Sequence, residues 1–169
     1  MSKVMRGVTI AIVQVALIGG VGAKLLYERA TLPRAWIETA GVDPELPIRG
    51  RYVALGLLLP AAGEYAGKES RMCGRIDVRE SRAVAVLDSG CLSAPGRRDR
   101  VWFSRQETPR GLRWRVLDPV AFFLPEHALD PSRNAKPGEL WVEATLPRGA
   151  APRPIRLGRM RDGTIEPIA

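Results

Sequence analysis

Residues 7–23 read GVTIAIVQVALIGGVGA, 17 consecutive positions without a charge, and this run divides the chain into two kinds of sequence. At 1.5 Å of rise per residue a helix over it covers about 26 Å, slightly less than a ~30 Å hydrocarbon core. Lys24 has a stem long enough to snorkel, so Leu25, Leu26 and Tyr27 extend the apolar face by about one turn. Tyr27 is of the type that settles at a lipid–water boundary. The short flank before the run carries Lys3 and Arg6 and no acid, whereas all 18 acidic residues follow it. By the positive-inside tendency this predicts a cytoplasmic N-terminus and a remainder outside the cytoplasm. The rival reading is a cleaved signal peptide, because Val21-Gly22-Ala23 offers small residues at cleavage spacing just after Gly19-Gly20. The apolar run exceeds the 7–15 residues usual for such a segment, which favours a retained anchor.

Outward from that run the composition changes. The chain has 169 residues, 26 Lys+Arg against 18 Asp+Glu, and a formal charge of +8. Such a balance fits nucleic acid, an anionic membrane surface or an acidic partner. However, acids are interleaved throughout, and no stretch clusters basic residues with aromatics as a single-strand binder would. The densest run, Arg97-Arg98-Asp99-Arg100, already contains an acid. Nucleic-acid binding is not expected.

Beyond residue 27, Pro and Gly recur throughout and no segment sustains a long helical period, which predicts short strands separated by turns. Residues 30–40 read as a continuation of the membrane helix or a short amphipathic one, stopped near Gly41 and Pro44. Residues 52–59, YVALGLLL, read as a buried strand ended by Pro60. Runs at 74–78 and 83–87 flank Arg79-Glu80-Ser81-Arg82, a tetrapeptide suited to a hairpin turn. Further strands are expected at 101–103, at 112–116, where Leu112, Trp114 and Val116 alternate with Arg113 and Arg115, and at 120–124. Others follow at 140–146, around Ile155 and Leu157, and after the turn signal Asp162-Gly163. The reading is mainly β: an N-terminal transmembrane helix, then a small sandwich or barrel-like domain of about seven or eight strands. The expected division is an anchor over 1–27, a linker or short helix over 28–44, and an extracytoplasmic β-rich domain over 45–169.

Two blocks resemble a family of bacterial membrane-anchored proteins named for its GDYXXLXY motif. The first is Thr39-Ala40-Gly41-Val42-Asp43-Pro44 followed by Arg49-Gly50-Arg51-Tyr52-Val53-Ala54-Leu55. The second is Val120 to His127, with Pro125-Glu126-His127 matching the family's Pro-Glu-Gly stretch, and Gly138 to Ala144 resembles the strand that follows. Arg51 stands where the motif has its acid and Leu57 where it ends in Tyr, so a role resting on that carboxylate would be lost or reversed in charge. The resemblance implies a single-pass inner-membrane protein with a periplasmic domain, often encoded beside multi-pass membrane proteins. It implies no chemistry. On physical grounds alone, Gly50 between Arg49 and Arg51 permits a positive φ or a close backbone approach where the chain enters its first strand.

Cys73 and Cys91 are the only cysteines, and the midpoint between them falls at Arg82, in the predicted turn. Opposed positions on antiparallel strands bring Cα atoms within about 5.5 Å, which a disulfide can bridge, and outside the cytoplasm such a bond persists. The C-x-x-C spacing of a redox pair is missing. His127 is the only histidine; alone it cannot build the usual zinc site, and as a general base it needs Ser104 or Ser132 within reach. A Ser–Lys pair of Ser70 with Lys68 or Lys136 has no local support. No catalytic residue, metal or cofactor is assigned. Trp102, Trp114 and Trp141 fall on different strands; Trp114 is expected in the core and Trp141, between Leu140 and Val142, on the opposite face from them, which makes it the first aromatic to check for exposure.

The expected role is therefore a non-enzymatic module that binds another envelope component, a membrane-protein partner. Alternatives are an envelope hydrolase using His127 or a serine, and a module for anionic lipid or glycan using the arginine surplus. If the N-terminal segment is cleaved, the protein is secreted rather than anchored.

Overall fold

The computed structural model describes residues 3–42, 52–65, 67–88, 90, 100–125, 131 and 135–168. It contains two compact units, divided between Leu32 and Pro33.

The first unit is helix α1, Lys3–Thr31. Its apolar side chains are exposed all round, from Val8 and Ile10 to Leu25 and Leu26, as the uninterrupted apolar run requires. Lys24 Nζ lies 3.8 Å from Glu28 Oε1, an i,i+4 pair at the polar end. Leu32 N–H still donates to Glu28 O, and the helix then stops. Pro33 explains the stop, since proline disfavours the α conformation in the residue before it.

The second unit begins at once as a strand. This corrects the linker or short helix expected over residues 28–44: α1 runs on to Thr31 and β1 covers Arg34–Val42, so the β unit starts some ten residues before the expected boundary at residue 45. Its first residues alternate as a half-covered strand should, with Ala35 and Ile37 buried on one side of the pleat. Nine more strands follow: β2 Tyr52–Leu59, β3 Arg71–Arg79, β4 Arg82–Asp88, β5 Val101–Thr108, β6 Gly111–Val116, β7 Val120–Phe123, β8 Leu140–Thr145, β9 Arg153–Arg161 and β10 Thr164–Pro167. The expected mainly β class holds, with ten strands among the described residues rather than about seven or eight.

The strands form one sheet in the order β10-β9-β8-β1-β4-β3-β5-β6-β2-β7, and β2 also pairs with β1. That extra pairing closes β1, β4, β3, β5, β6 and β2 into a six-stranded barrel. β1 is the hub. On one edge it meets β4 at Trp36↔Arg82 and then β2 from Glu38↔Leu58 to Val42↔Ala54; on the other it pairs with β8 from Arg34↔Thr145 to Glu38↔Trp141. Residues 60–62 then reach β4, through Ala62 N–H to Ala85 O and Ala85 N–H to Pro60 O. Beyond the barrel the sheet continues through β8, β9 and β10, while β7 lies beside β2.

The core follows from these rows. Leu55, Leu57, Leu59, Phe103, Trp114, Val116 and Val142 are sealed from solvent together with Ile37 and Leu140. β2 is buried along most of its length because both its edges are paired and both faces covered, which is why it reads as a continuous apolar run. The hairpin turn falls at Glu80 and Ser81, both with positive φ (49° and 64°), the type I′ geometry whose twist matches a two-residue hairpin. At Asp162 and Gly163 φ is again positive, closing β9 onto β10. A Cβ on Gly158 would meet the Trp36 ring at 2.7 Å, so β9 needs glycine there to cross beneath that indole.

Two sequence expectations change in detail. Trp141, the aromatic to check for exposure, is buried: its Nε1 donates to Gly138 O, and the Arg82 guanidinium sits 5.4 Å above its ring. The exposed indole is Trp102, at 46 %. The hairpin register sets Cys73 opposite Asp88, three positions short of Cys91, which lies outside the described residues.

Candidate functional site

The segments that carried the family resemblance come together as neighbouring strands. Tyr52, Val53, Ala54 and Leu55 of β2 oppose Phe123, Phe122, Ala121 and Val120 of β7, and Thr39 to Val42 of β1 oppose Leu57 to Ala54 of β2. Tyr52 and Phe123 rings meet at 6.1 Å, tilted by 52°, and Leu55 is fully buried. Pro125 follows β7 without regular structure. Arg49, Gly50, Arg51, Glu126 and His127 lie outside the described residues, as does Ser132.

Where β1, β2 and β8 adjoin, a cavity of about 300 Å³ opens on the outer face of the barrel. Register explains its floor. Glu38 opposes Leu58, Leu58 opposes Arg115, and Gln106 opposes Arg113; opposed residues, and those two apart on one strand, share a face. Glu38 is 4 % exposed and accepts from Arg113 Nε at 3.2 Å. Burial of a carboxylate is tolerated when such a partner is present. Residues 135–138 form the roof, and the Lys136 amide is tied down by Glu139 Oε2 at 3.0 Å.

The hydroxyls lining this cavity are already engaged. Thr39 Oγ1 donates to Leu140 O and Thr108 Oγ1 to Gly111 O, at 2.9 and 2.8 Å. The lining therefore offers the Glu38 and Glu107 carboxylates, the Lys136 ammonium and the Gln106 amide for hydrogen bonding, and no hydroxyl free to act as a nucleophile among the described residues. Glu38 and Arg113 carry no signal in the sequence, because Glu38 sits in a segment that reads as helix or linker, where a glutamate is unremarkable.

A larger cavity, about 610 Å³, lies at another part of the same unit, between β3 and the turn joining β8 to β9. Arg75, Ile76, Asp77 and Val78 form one wall, and Pro33, Pro147 and Arg148 belong to the other. Asp77 Oδ1 accepts from the Val78 N–H at 2.8 Å.

Elsewhere, the Tyr65 hydroxyl donates to Glu69 Oε2, and the Tyr65 ring stands edge-on to Trp114 at 5.2 Å. The shared hydrogen bond, which favours phenol and carboxylate together, raises the Tyr65 pKa from 10.0 and lowers that of Glu69 from 4.5. Cys73 is buried at the head of β3, with Arg100 Nη1 3.8 Å from its sulfur. Ser104 lies on β5 opposite Arg71. Among the described residues no group of three or more His, Cys, Asp or Glu is placed to hold a metal ion.

No family model, no curated protein and no solved structure matches the chain.

Proposed function

We propose that this protein is a membrane-anchored binding module: α1 remains in the bilayer and holds the β unit on the extracytoplasmic side, where it engages another envelope protein without catalysing a reaction. The observation that carries the reading is the surface of α1. Twenty-nine residues of helix present apolar side chains on every side, and a helix of this length, about 43 Å, exceeds the ~30 Å a hydrocarbon core needs. A helix apolar all round is at rest in lipid. Lys3 and Arg6 before the uncharged run at 7–23, with every acid after that run, support the N-in orientation.

The β unit supports the second half. Its two cavities are lined by charged and amide side chains together with apolar ones, as recognition sites are, and Trp102, Leu117 and Phe123 are exposed on its surface. A Cys73–Cys91 disulfide belongs to the same reading: Cys91 is only three residues beyond Asp88, the partner of Cys73 in the ladder, and an oxidising compartment keeps such a bond.

In-cell crosslinking from p-benzoylphenylalanine at position 102 or 123, followed by purification from membranes and mass spectrometry, tests the reading. A discrete crosslinked membrane protein supports it. Crosslinks to lipid or water alone from both positions, with all material in the soluble fraction, would overturn it.

A further inference from the structure

We infer that the larger cavity is a docking cleft for an extended acidic peptide segment, which adds as a strand to the open edge of β3. The inference rests on the binding-module reading and gives it a site.

Four observations converge. First, β3 pairs with β4 from Cys73 to Arg79, but with β5 only from Arg71 to Gly74. Among the described residues the stretch Arg75–Arg79 is therefore paired on one edge alone. Second, the hairpin fixes which backbone groups face the open side. In a two-residue hairpin the closing pair, here Arg79↔Arg82, exchanges both hydrogen bonds, and bonded positions recur every second residue. Arg75, Asp77 and Arg79 thus turn their amides toward β4, and Ile76 and Val78 turn theirs outward. The Val78 N–H confirms the direction, since it is the one captured by Asp77 Oδ1. Among the described residues the Ile76 N–H and C=O and the Val78 C=O have no ladder partner and are turned toward an incoming strand.

Third, the 610 Å³ cavity lies along this edge. Four residues of strand span about 13 Å, the length of a short recognition segment. The far wall contains Pro33, Pro147 and Pro152; a proline has no N–H to give, so that wall does not itself complete the ladder. Ile76 and Val78 pack against the barrel core, so the edge is held rigid. Fourth, Arg75 and Arg148 line the cleft, are exposed, and have no ion-pair partner among the described residues. Asp77 is the one carboxylate in the lining among the described residues, and it accepts from the Val78 amide. The cleft thus offers two open guanidiniums beside an open strand edge, which matches alternating acidic side chains on an extended backbone.

The test uses the full chain in zwitterionic phosphatidylcholine nanodiscs and an acetylated, amidated peptide of alternating valine and glutamate. Hydrogen exchange of the Ile76 amide and fluorescence anisotropy are the two readouts. The expected result is saturable binding, with Ile76 exchange slowed at least tenfold. Affinity should fall at least tenfold both in Arg75→Glu/Arg148→Glu and with a peptide N-methylated at the positions that would pair. The two arginines are exposed, so the variant retains its fold; an unchanged far-UV spectrum verifies this. Binding that ignores N-methylation, or leaves Ile76 exchange unchanged, overturns the proposal. So does association with a second copy that the arginine variant abolishes, or arginine-dependent binding of phosphatidylglycerol vesicles without any to the peptide. An in-cell partner crosslinked at 102 or 123 but indifferent to Arg75→Glu/Arg148→Glu would remove this site and leave the binding-module reading standing.

Discussion

Replacing Trp114 separates the packing of the barrel from its polar accounting. The indole is fully buried, faces Leu59 across β2–β6 and Arg105 across β5–β6, and makes the edge-on contact with Tyr65. Its Nε1 has no hydrogen-bond partner among the described residues. Trp114→Ala deletes the largest sealed side chain and should cost about 3–5 kcal/mol, of which the Tyr65 contact accounts for about 0.5–1.5 kcal/mol. Trp114→Phe keeps much of the ring volume and the edge-on contact. It also removes a buried donor whose desolvation is uncompensated, a gain of about 1–3 kcal/mol that offsets the lost volume. The net change for Phe should therefore lie within about 1.5 kcal/mol of the parent chain. Guanidinium denaturation of the detergent-solubilised chain, followed at the strand band of the far-UV spectrum, measures both. Equal losses for Phe and Ala would mean that the indole N–H has a partner and that the accounting is wrong; a loss under about 1 kcal/mol for Ala would mean that Trp114 does not fill the core.

Other consequences concern charge and chemistry. Arg113→Met leaves the Glu38 carboxylate buried without its guanidinium and should destabilise by about 3–5 kcal/mol, while Glu38→Leu/Arg113→Met recovers most of it; thermal melts decide, and a double variant no better than the single refutes the pairing. Tyr65 should titrate above 10.0 by ultraviolet absorbance and return toward it in Glu69→Gln. With one pKa raised and the other lowered, the bond's contribution fades as pH rises through the elevated Tyr65 value or falls through the depressed Glu69 value, below 4.5; a Tyr65 midpoint indifferent to Glu69→Gln would rule it out. Reduction of a Cys73–Cys91 bond should lower stability by about 3 kcal/mol in the chain-entropy model, and two free thiols in non-reducing mass spectrometry of exported protein would exclude the bond.

The strands that were legible in the sequence are those whose residues meet water on one side. β6 announced itself through Leu112, Trp114 and Val116 against two arginines, and the β3–β4 turn through Arg79 to Arg82. β1 was not legible, because the chain passes from helix to strand across Leu32 and Pro33 with no change in hydrophobicity. Its Trp36 and Glu38 are covered by cross-strand partners from β9 and β6 rather than by anything local. The burial of Trp141 was not legible for the same reason: alternation assigns it to the outer face, and only tertiary structure brings Arg82 over that face. The closure of the barrel depends on β1 pairing with β2 and β4 along one edge, which no local pattern encodes. Both cavities inherit that invisibility, since Glu38 meets Arg113 from 75 residues away, and among the described residues β5 pairs with β3 no further than Gly74.

Retention and orientation of α1 carry the functional account, and protease treatment of spheroplasts, read by intact mass in the membrane pellet, tests both at once. The account predicts a full-length chain in the membrane whose β unit is digested from outside before lysis, leaving a protected N-terminal fragment that contains residues 7–23. A β unit protected until lysis, or a soluble chain beginning after Ala23, would contradict it.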